Sequence, residues 1–386
     1  MSLAMLTVTN ALWSRSGYGT QGLQWLTRVA KDGHKVAVAA NYGLEGTVTE
    51  WAGIPHFPRG TDRFSNDVVT AYFEDWSARH PNDTALLATL YDVWVLNASI
   101  YDKANVLSWV PIDSAPVAKP VAAFLRKPNV TPVAMSKFGR DQMLAAGIDC
   151  EYVPHAIDTE LYKHTASVET ASGTLTGRQL MGFDDDVFVV GAFNANQDSQ
   201  RKAWPEILLA FSLWAKNHDD ARLYIHTERH GAMGGLKLDD IAEAVGLKPH
   251  QFKIVNQYAY RTGVPTDAMA ALYSAADVML APTYGEGFGL TVLEAQSCGT
   301  PVIVNDYSAQ SELCGDGWLT TNRPVWNREF CNWWKAPDII SIMDSLEGAY
   351  QRGRGFSDVA RAFAVQYDAD LVYRQQWHPL LKKLQA

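Results

Sequence analysis

The stretch from Val278 to Cys298 constrains the fold more than any other. An apolar, strand-like run (Val278–Ala281) and Pro282 lead into the Gly-rich turn Tyr284-Gly-Glu-Gly-Phe-Gly289, which opens onto a helix-like run from Leu290 to Cys298. A strand that feeds a helix through a short turn is the repeating unit of a parallel α/β sheet. The turn also has the makings of an anion site, because small residues let backbone approach a phosphate and a helix N-terminus offers free N–H groups and a positive dipole end. Gly287, Phe288, Gly289 and Leu290 would supply those N–H groups. Two carboxylates bracket the turn: Glu286 lies inside it and Glu294 about one turn into the helix. From there Glu294 can reach ribose hydroxyls, and Glu286 a group on the far side of the phosphates.

The same alternation runs through the chain. Met5–Thr9 is a plausible first strand, followed by the loop Trp13-Ser-Arg-Ser-Gly-Tyr-Gly19 and a helix with Leu23, Leu26, Val29 and Ala30 on its apolar face. Gly33 can end that helix, and Lys35–Ala40 returns as a strand. Ala85–Leu90, Val106–Val110 and Thr131–Ala134 are further strands, and Ser136 is placed to cap a helix running to Gly147. The segment Tyr162–Met181, rich in Thr, Ser, Ala and Gly, reads as an interdomain linker. Beyond it come Val187–Ala192, the Trp204–Asn217 helix, Leu223–His226, Phe252–Val255, the Asp267–Ala276 helix and Pro301–Asn305. Tyr373 to Leu384 is helical in pattern.

At 386 residues the chain is longer than one core usually supports, so two domains are expected. A hydrophobic content of 47% and a charged content of 19% exclude disorder, and no apolar run approaches the roughly 20 residues that span a bilayer. The start has no basic stretch leading into an apolar one, so a secretory signal is not expected and a cytoplasmic location is. Four widely spaced cysteines suit a reducing compartment and indicate neither a disulfide framework nor a zinc site. The net charge of −9 argues against generic nucleic-acid binding.

Several residues outside the Gly-rich turn could carry chemistry. Gly17 and Gly19 follow the first strand at the carboxyl end of the sheet, where open α/β sheets bind ligands. Arg201 and Lys202 close the loop after the first strand of the second half and could neutralise a diphosphate, or form a solvated pair at a helix start. Asp113, just after the Val106–Val110 strand, could stabilise developing positive charge on a sugar or could equally cap the next helix. Asp184-Asp185-Asp186 reads as a polar turn ahead of a strand, and no metal is expected. Trp326, Phe330, Trp333 and Trp334 could stack on sugar, although packing of an insertion is the commoner use of such aromatics.

Glu286 and Glu294, with seven residues between them in the Gly-rich turn, resemble the Glu-x7-Glu signature of the retaining glycosyltransferases grouped as "glycosyl transferases group 1". The Ser-Gly-Tyr-Gly loop is similar to a subset that includes virus-encoded members. The resemblance implies an α/β fold of two facing Rossmann-like domains, GT-B. It implies a first domain over 1–165 completed by a C-terminal helix (370–386) crossing back to it, and a donor domain over 182–369. It implies transfer of a sugar from a nucleoside-diphosphate sugar to a hydroxyl acceptor with retention, without a metal or other cofactor. Glu294 would hold the ribose, and Lys202 with the N–H groups of Gly287 to Leu290 the diphosphate. Glu286 would orient the sugar, Asp113 would sit near it, and Gly17 and Gly19 would face donor phosphates and acceptor. The family usually has an Arg six residues before the Lys; Asn196 stands there, and the neighbouring Arg201 is the candidate substitute. Tyr258 and Tyr260 lie where the family places the nucleobase. His155 and Asp158 match a segment that leads to the hinge, a structural role. The acceptor (glycan, lipid, protein or modified base) is open. An epimerase or phosphorylase on the same fold, or a degenerate binding module, are the rival readings.

Overall fold

The computed structural model describes residues 2–171 and 173–385. Met1 and Ala386, at the ends of the expected first domain, and Ser172, in the expected linker, lie outside the described residues. The chain divides into two compact units, one of 1–157, 328–332 and 367–386, the other of 158–327 and 333–366.

The first unit is built on an eight-stranded sheet. Its strands are β1 (Leu3–Thr9), β2 (Lys35–Ala40), β3 (Thr49–Trp51), β4 (Ile54–Phe57), β5 (Thr84–Leu90), β6 (Val106–Val110), β7 (Val130–Ala134) and β8 (Glu151–Tyr152). They lie in the order β3-β4-β2-β1-β5-β6-β7-β8, parallel throughout except for β3 against β4. The chain leaves β1 to one side for β2 and to the other for β5, so the strand order reverses there. A crevice opens at such a switch point, beyond the carboxyl end of β1. The expected strands of this half are all present, within a residue or two of their anticipated ends. The short strands β3, β4 and β8 escaped the sequence because few apolar residues alternate in them.

Residues 367–386 belong to this unit. Trp377 stacks on Trp25 with ring centroids 4.4 Å apart and meets Trp109 of β6 edge-on at 4.8 Å. Arg28 pairs with Asp370 at 2.7 Å, and the Tyr373 hydroxyl donates to Asp32 at 2.7 Å.

In the second unit a hairpin, β9 (Ser167–Thr170) and β10 (Gly173–Thr176), comes first. A six-stranded parallel sheet follows: β11 (Phe188–Ala192), β12 (Ala221–Ile225), β13 (Phe252–Ile254), β14 (Val278–Ala281), β15 (Val302–Asn305) and β16 (Gly317–Thr320). Its order, β13-β12-β11-β14-β15-β16, puts the switch point between β11 and β14. Every residue of β11, β14 and β15 is buried, which is why these strands read as unbroken apolar runs. Two further strands, β17 (Asn322–Asn327) and β18 (Asn332–Pro337), pair with each other.

The reading of Tyr162–Met181 as a linker is corrected. After β9 and β10 it forms the helix Gly177–Met181, with a capping box between Thr176 and Gln179. Gly177 is there for close packing: a Cβ would lie 2.1 Å from the Ala271 carbonyl oxygen. Arg178 holds Asp277, just ahead of β14, with two bonds of 2.8 and 3.0 Å. Thr and Gly were serving strand, cap and contact, functions that composition alone does not separate from flexibility.

Candidate active site

Two loops leave the second sheet at its switch point, Phe193–Ala203 after β11 and Pro282–Gly289 after β14. In the first, the Asp198 carboxylate accepts the N–H groups of Gln200 and Arg201, turning the chain sharply. Ala203, at φ 54°, then begins the helix Trp204–Trp214. The loops are laced by a bond from the Tyr284 N–H to the Arg201 carbonyl at 2.8 Å. The Tyr284 hydroxyl donates to Glu206 on that helix at 2.5 Å.

This lacing brings Lys202 and Glu286 together, Nζ to Oε2 at 2.5 Å, with Arg201 Nη1 at 3.5 Å from the same oxygen. Their side chains are mostly enclosed, at 11% and 16% accessibility. Burial would raise the Glu286 carboxyl, but Lys202 and then Arg201 outweigh it and hold it below the ordinary range. Burial depresses the Lys202 ammonium, and the attraction of Glu286 only partly offsets that. A cation just before a helix N-terminus is unfavourable in itself; here a carboxylate from the neighbouring loop accounts for it. Ser308 also takes part, its hydroxyl accepting the Glu286 N–H at 2.9 Å.

Gly289, at φ 118°, starts the helix Leu290–Ser297, and no described side chain caps it. Its left-handed backbone suits glycine. Gly287 and Phe288 are buried just ahead of it, and Leu290 begins the helix. Glu294 is buried inside that helix. The Tyr273 hydroxyl donates to it at 2.7 Å, and burial raises its carboxyl in spite of hydrogen bonds from Tyr273 and Tyr162. Both tyrosines went unnoticed in the sequence, where they lie 21 and 132 residues away from Glu294 with no pattern linking them.

Asn196 does not replace the missing Arg. Fully buried, it donates to the carbonyls of Glu228 (2.9 Å) and Leu236 (2.7 Å) and accepts the Leu236 N–H (2.8 Å). Arg201 is the residue whose guanidinium comes near Glu286. Glu228, also missed, accepts the N–H groups of His230 and Ala232, each at 2.9 Å, and turns the loop after β12 to which Asn196 is bonded.

The remaining candidates are more dispersed. In the first unit Gly17 is exposed at the start of the helix Gly17–Lys31, capped by Ser16. Gly19 has a packing reason, since a Cβ would lie 2.2 Å from Ser14 Oγ. Asp113 is half-buried and accepts the Ser114 hydroxyl at 2.9 Å; it does not cap the following helix, whose N-cap is Ala118. His155 is buried edge-on to Trp109 at 4.4 Å, and Asp158 ties its own turn, so both are structural as expected. In the second unit Asp184, Asp185 and Asp186 form an exposed turn, Tyr258 is exposed, and Tyr260 meets His226 at 5.8 Å.

With β11 and β14 feeding their loops into one crevice, the matched family falls in place. Residues 184–327 match the family Glycosyl transferases group 1. That segment contains both loops, the Lys202–Glu286 pair and Glu294. The D-inositol 3-phosphate glycosyltransferase of Corynebacterium kroppenstedtii is 29% identical over 170 residues, covering 43% of this chain and 35% of that protein. The one from Paenarthrobacter aurescens is 40% identical over 157 residues, covering 39% and 36%. The chain thus spans little more than a third of the length of these relatives. Among solved structures, sucrose-phosphate synthase from Thermosynechococcus elongatus superposes with a TM-score of 0.75 at 14% identity, covering 100% of this chain and 99% of that one. HepE of Anabaena, in complex with UDP-glucose, gives 0.67 at 16%, covering 98% and 99%. At such identities the likeness concerns the fold, which is the α/β GT-B fold with two Rossmann-like units. Among the described residues no helix is long and apolar enough to cross a membrane.

Proposed function

We propose that the protein is a glycosyltransferase that moves a sugar from a nucleoside-diphosphate sugar to a hydroxyl acceptor, with retention at the anomeric carbon. The observation that carries this reading is the Lys202–Glu286 pair, joined across 84 residues at a switch point beside an uncapped helix N-terminus. A cation, a row of backbone N–H groups and a positive helix end form a site for a dianionic leaving group, and departure of the diphosphate is where charge develops. Lys202 and Arg201 are assigned to that diphosphate together with the N–H groups of Gly287, Phe288, Gly289 and Leu290. Glu294 is assigned to the ribose and Glu286 to the donor sugar. Glu286 neutralises Lys202; on binding, phosphate oxygens would share that cation. Asp113, Gly17 and Gly19, at the carboxyl edge of the first sheet, are proposed for sugar, phosphate and acceptor recognition. Retention is supported by the Glu-x7-Glu resemblance, and a cytoplasmic setting by the cysteine usage.

UDP is the first nucleotide to try, because HepE of Anabaena was solved with UDP-glucose. The test is a thermal-shift panel of UDP, GDP and ADP, then mass spectrometry of products made from the matching nucleotide sugars. Stabilisation by one diphosphate and release of it from its sugar support the reading. No stabilisation by any diphosphate overturns it.

A further inference from the structure

Among the described residues, β17 and β18 form a sheet of their own. On one face of this hairpin Val325, Trp334 and Ala336 pack in a small apolar cluster with Ala203 and Tyr284, and on the other Lys335 lies over the Tyr307 ring at 5.0 Å. Side chains alternate along a strand, so Pro324, Trp326 and Trp333 fall on the same face as Lys335. Trp326 is 48% exposed and Trp333 45%. Their ring centroids lie 4.9 Å apart at 70°. An aromatic contact between strands helps to hold a hairpin, yet this one leaves nearly half of each indole in water. The hairpin is also joined to the loop of Glu286. The Tyr307 hydroxyl donates to the Trp333 carbonyl at 2.7 Å, and the next residue, Ser308, accepts the Glu286 N–H. On the far side of Trp334, the Lys335 N–H donates to the Tyr284 carbonyl at 3.0 Å.

We propose that Trp326 and Trp333 form a platform on which pyranose rings of a glycan acceptor stack. This rests on the reading of the chain as a glycosyltransferase, for which it names the acceptor class. The apolar C–H face of a sugar ring matches an indole face, while its hydroxyls stay in water, as a solvent-facing hairpin requires. Two half-exposed indoles offer far less than the ~800 Å² per partner of a stable protein interface, which disfavours a second copy. The chain is acidic, at −9, which disfavours an anionic bilayer.

The test uses the full chain with maltotriose, cellotriose, mannotriose and chitotriose, read by saturation-transfer NMR, with UDP affinity measured separately by calorimetry. Transfer to ring protons of at least one trisaccharide is expected. Its affinity should fall about tenfold or more in Trp326→Ala and Trp333→Ala, persist in Trp326→Phe and Trp333→Phe, and leave UDP affinity unchanged. No transfer from any trisaccharide overturns the proposal, as does equal binding by wild type and both Ala variants. Transfer lost in the Phe variants along with the thermal transition reassigns the pair to hairpin stability and also overturns it. So does a loss, in the Ala variants, of binding to phosphatidylglycerol vesicles or of self-association. Trisaccharide binding without UDP binding would instead remove the donor reading and leave the platform standing.

Discussion

Lys202 Nζ lies 2.5 Å from Glu286 Oε2, and Arg201 shares that carboxylate at 3.5 Å. Glu286 thus faces two cations, with Asp198 also 3.7 Å from Arg201, an arrangement that an incoming diphosphate would change. Lys202→Ala removes charge from a phosphate site and should weaken nucleoside-diphosphate binding by about 1.5–3 kcal/mol, roughly 10- to 150-fold. Glu286→Gln releases both cations for phosphate, so nucleotide affinity should hold or rise. Its turnover should still fall, because sugar orientation matters in the transition state. Calorimetry and steady-state kinetics on both variants check this; equal loss of affinity in Glu286→Gln takes that residue away from the sugar.

Glu294 gives a prediction with a defined pH sign. Its folded carboxyl is raised above the ordinary 4.5 by burial. The folded state therefore keeps a proton that the unfolded state has released, and stability falls as pH rises from about 4.5 through the raised value. Above that window the ionised, buried carboxylate is a standing penalty. Glu294→Gln should melt at or above the wild-type temperature at neutral pH, with the gap narrowing as pH falls towards 4.5. Glu294→Ala should lose about 1.5–3 kcal/mol of nucleotide affinity. Melting curves across pH, beside calorimetry, measure both.

Asn196 should resist restoration of the family arginine. Asn196→Arg forces a long cation against the Gly235 backbone, where even a glycine Cβ would lie 2.3 Å from Asn196. Asn196→Ala leaves the Glu228 and Leu236 carbonyls without their donor, about 2–4 kcal/mol in total. Denaturant titration should register both losses. Tighter nucleotide binding by Asn196→Arg at unchanged stability would contradict the structural role.

Arg178 tests the corrected linker. Arg178→Ala leaves Asp277, whose carboxyl burial already raises despite this partner, with the Val189 N–H at 2.7 Å and Arg354 at 3.8 Å. Breaking such a buried pair should remove about 3–5 kcal/mol of stability. A side chain in a flexible linker would change nothing in the same denaturant titration.

Metal independence is the remaining commitment, since the diphosphate is assigned to Lys202, Arg201 and backbone N–H groups. EDTA should leave turnover intact. Activity abolished by chelator and restored by magnesium or manganese would refute the leaving-group account.

Local chemistry was legible in the sequence wherever neighbours in the chain decide it. Buried parallel strands must be continuously apolar, as Val278–Ala281 and Val36–Ala40 are, and helix ends need capping groups, as Ser136 supplies. The glycine start of the Leu290–Ser297 helix and the two glutamates around it follow from the same local rules. What the sequence could not decide was partnership. Lys202 meets Glu286 because a parallel sheet with a switch point delivers distant loops to one edge, Tyr273 meets Glu294 across two packed helices, and Arg178 meets Asp277 at the amino end of β14. Such pairings depend on strand order, which local patterning does not encode. The tertiary structure alone therefore turned Asn196 into a structural pin, the apparent linker into hairpin and helix, and Trp326 with Trp333 into an exposed pair.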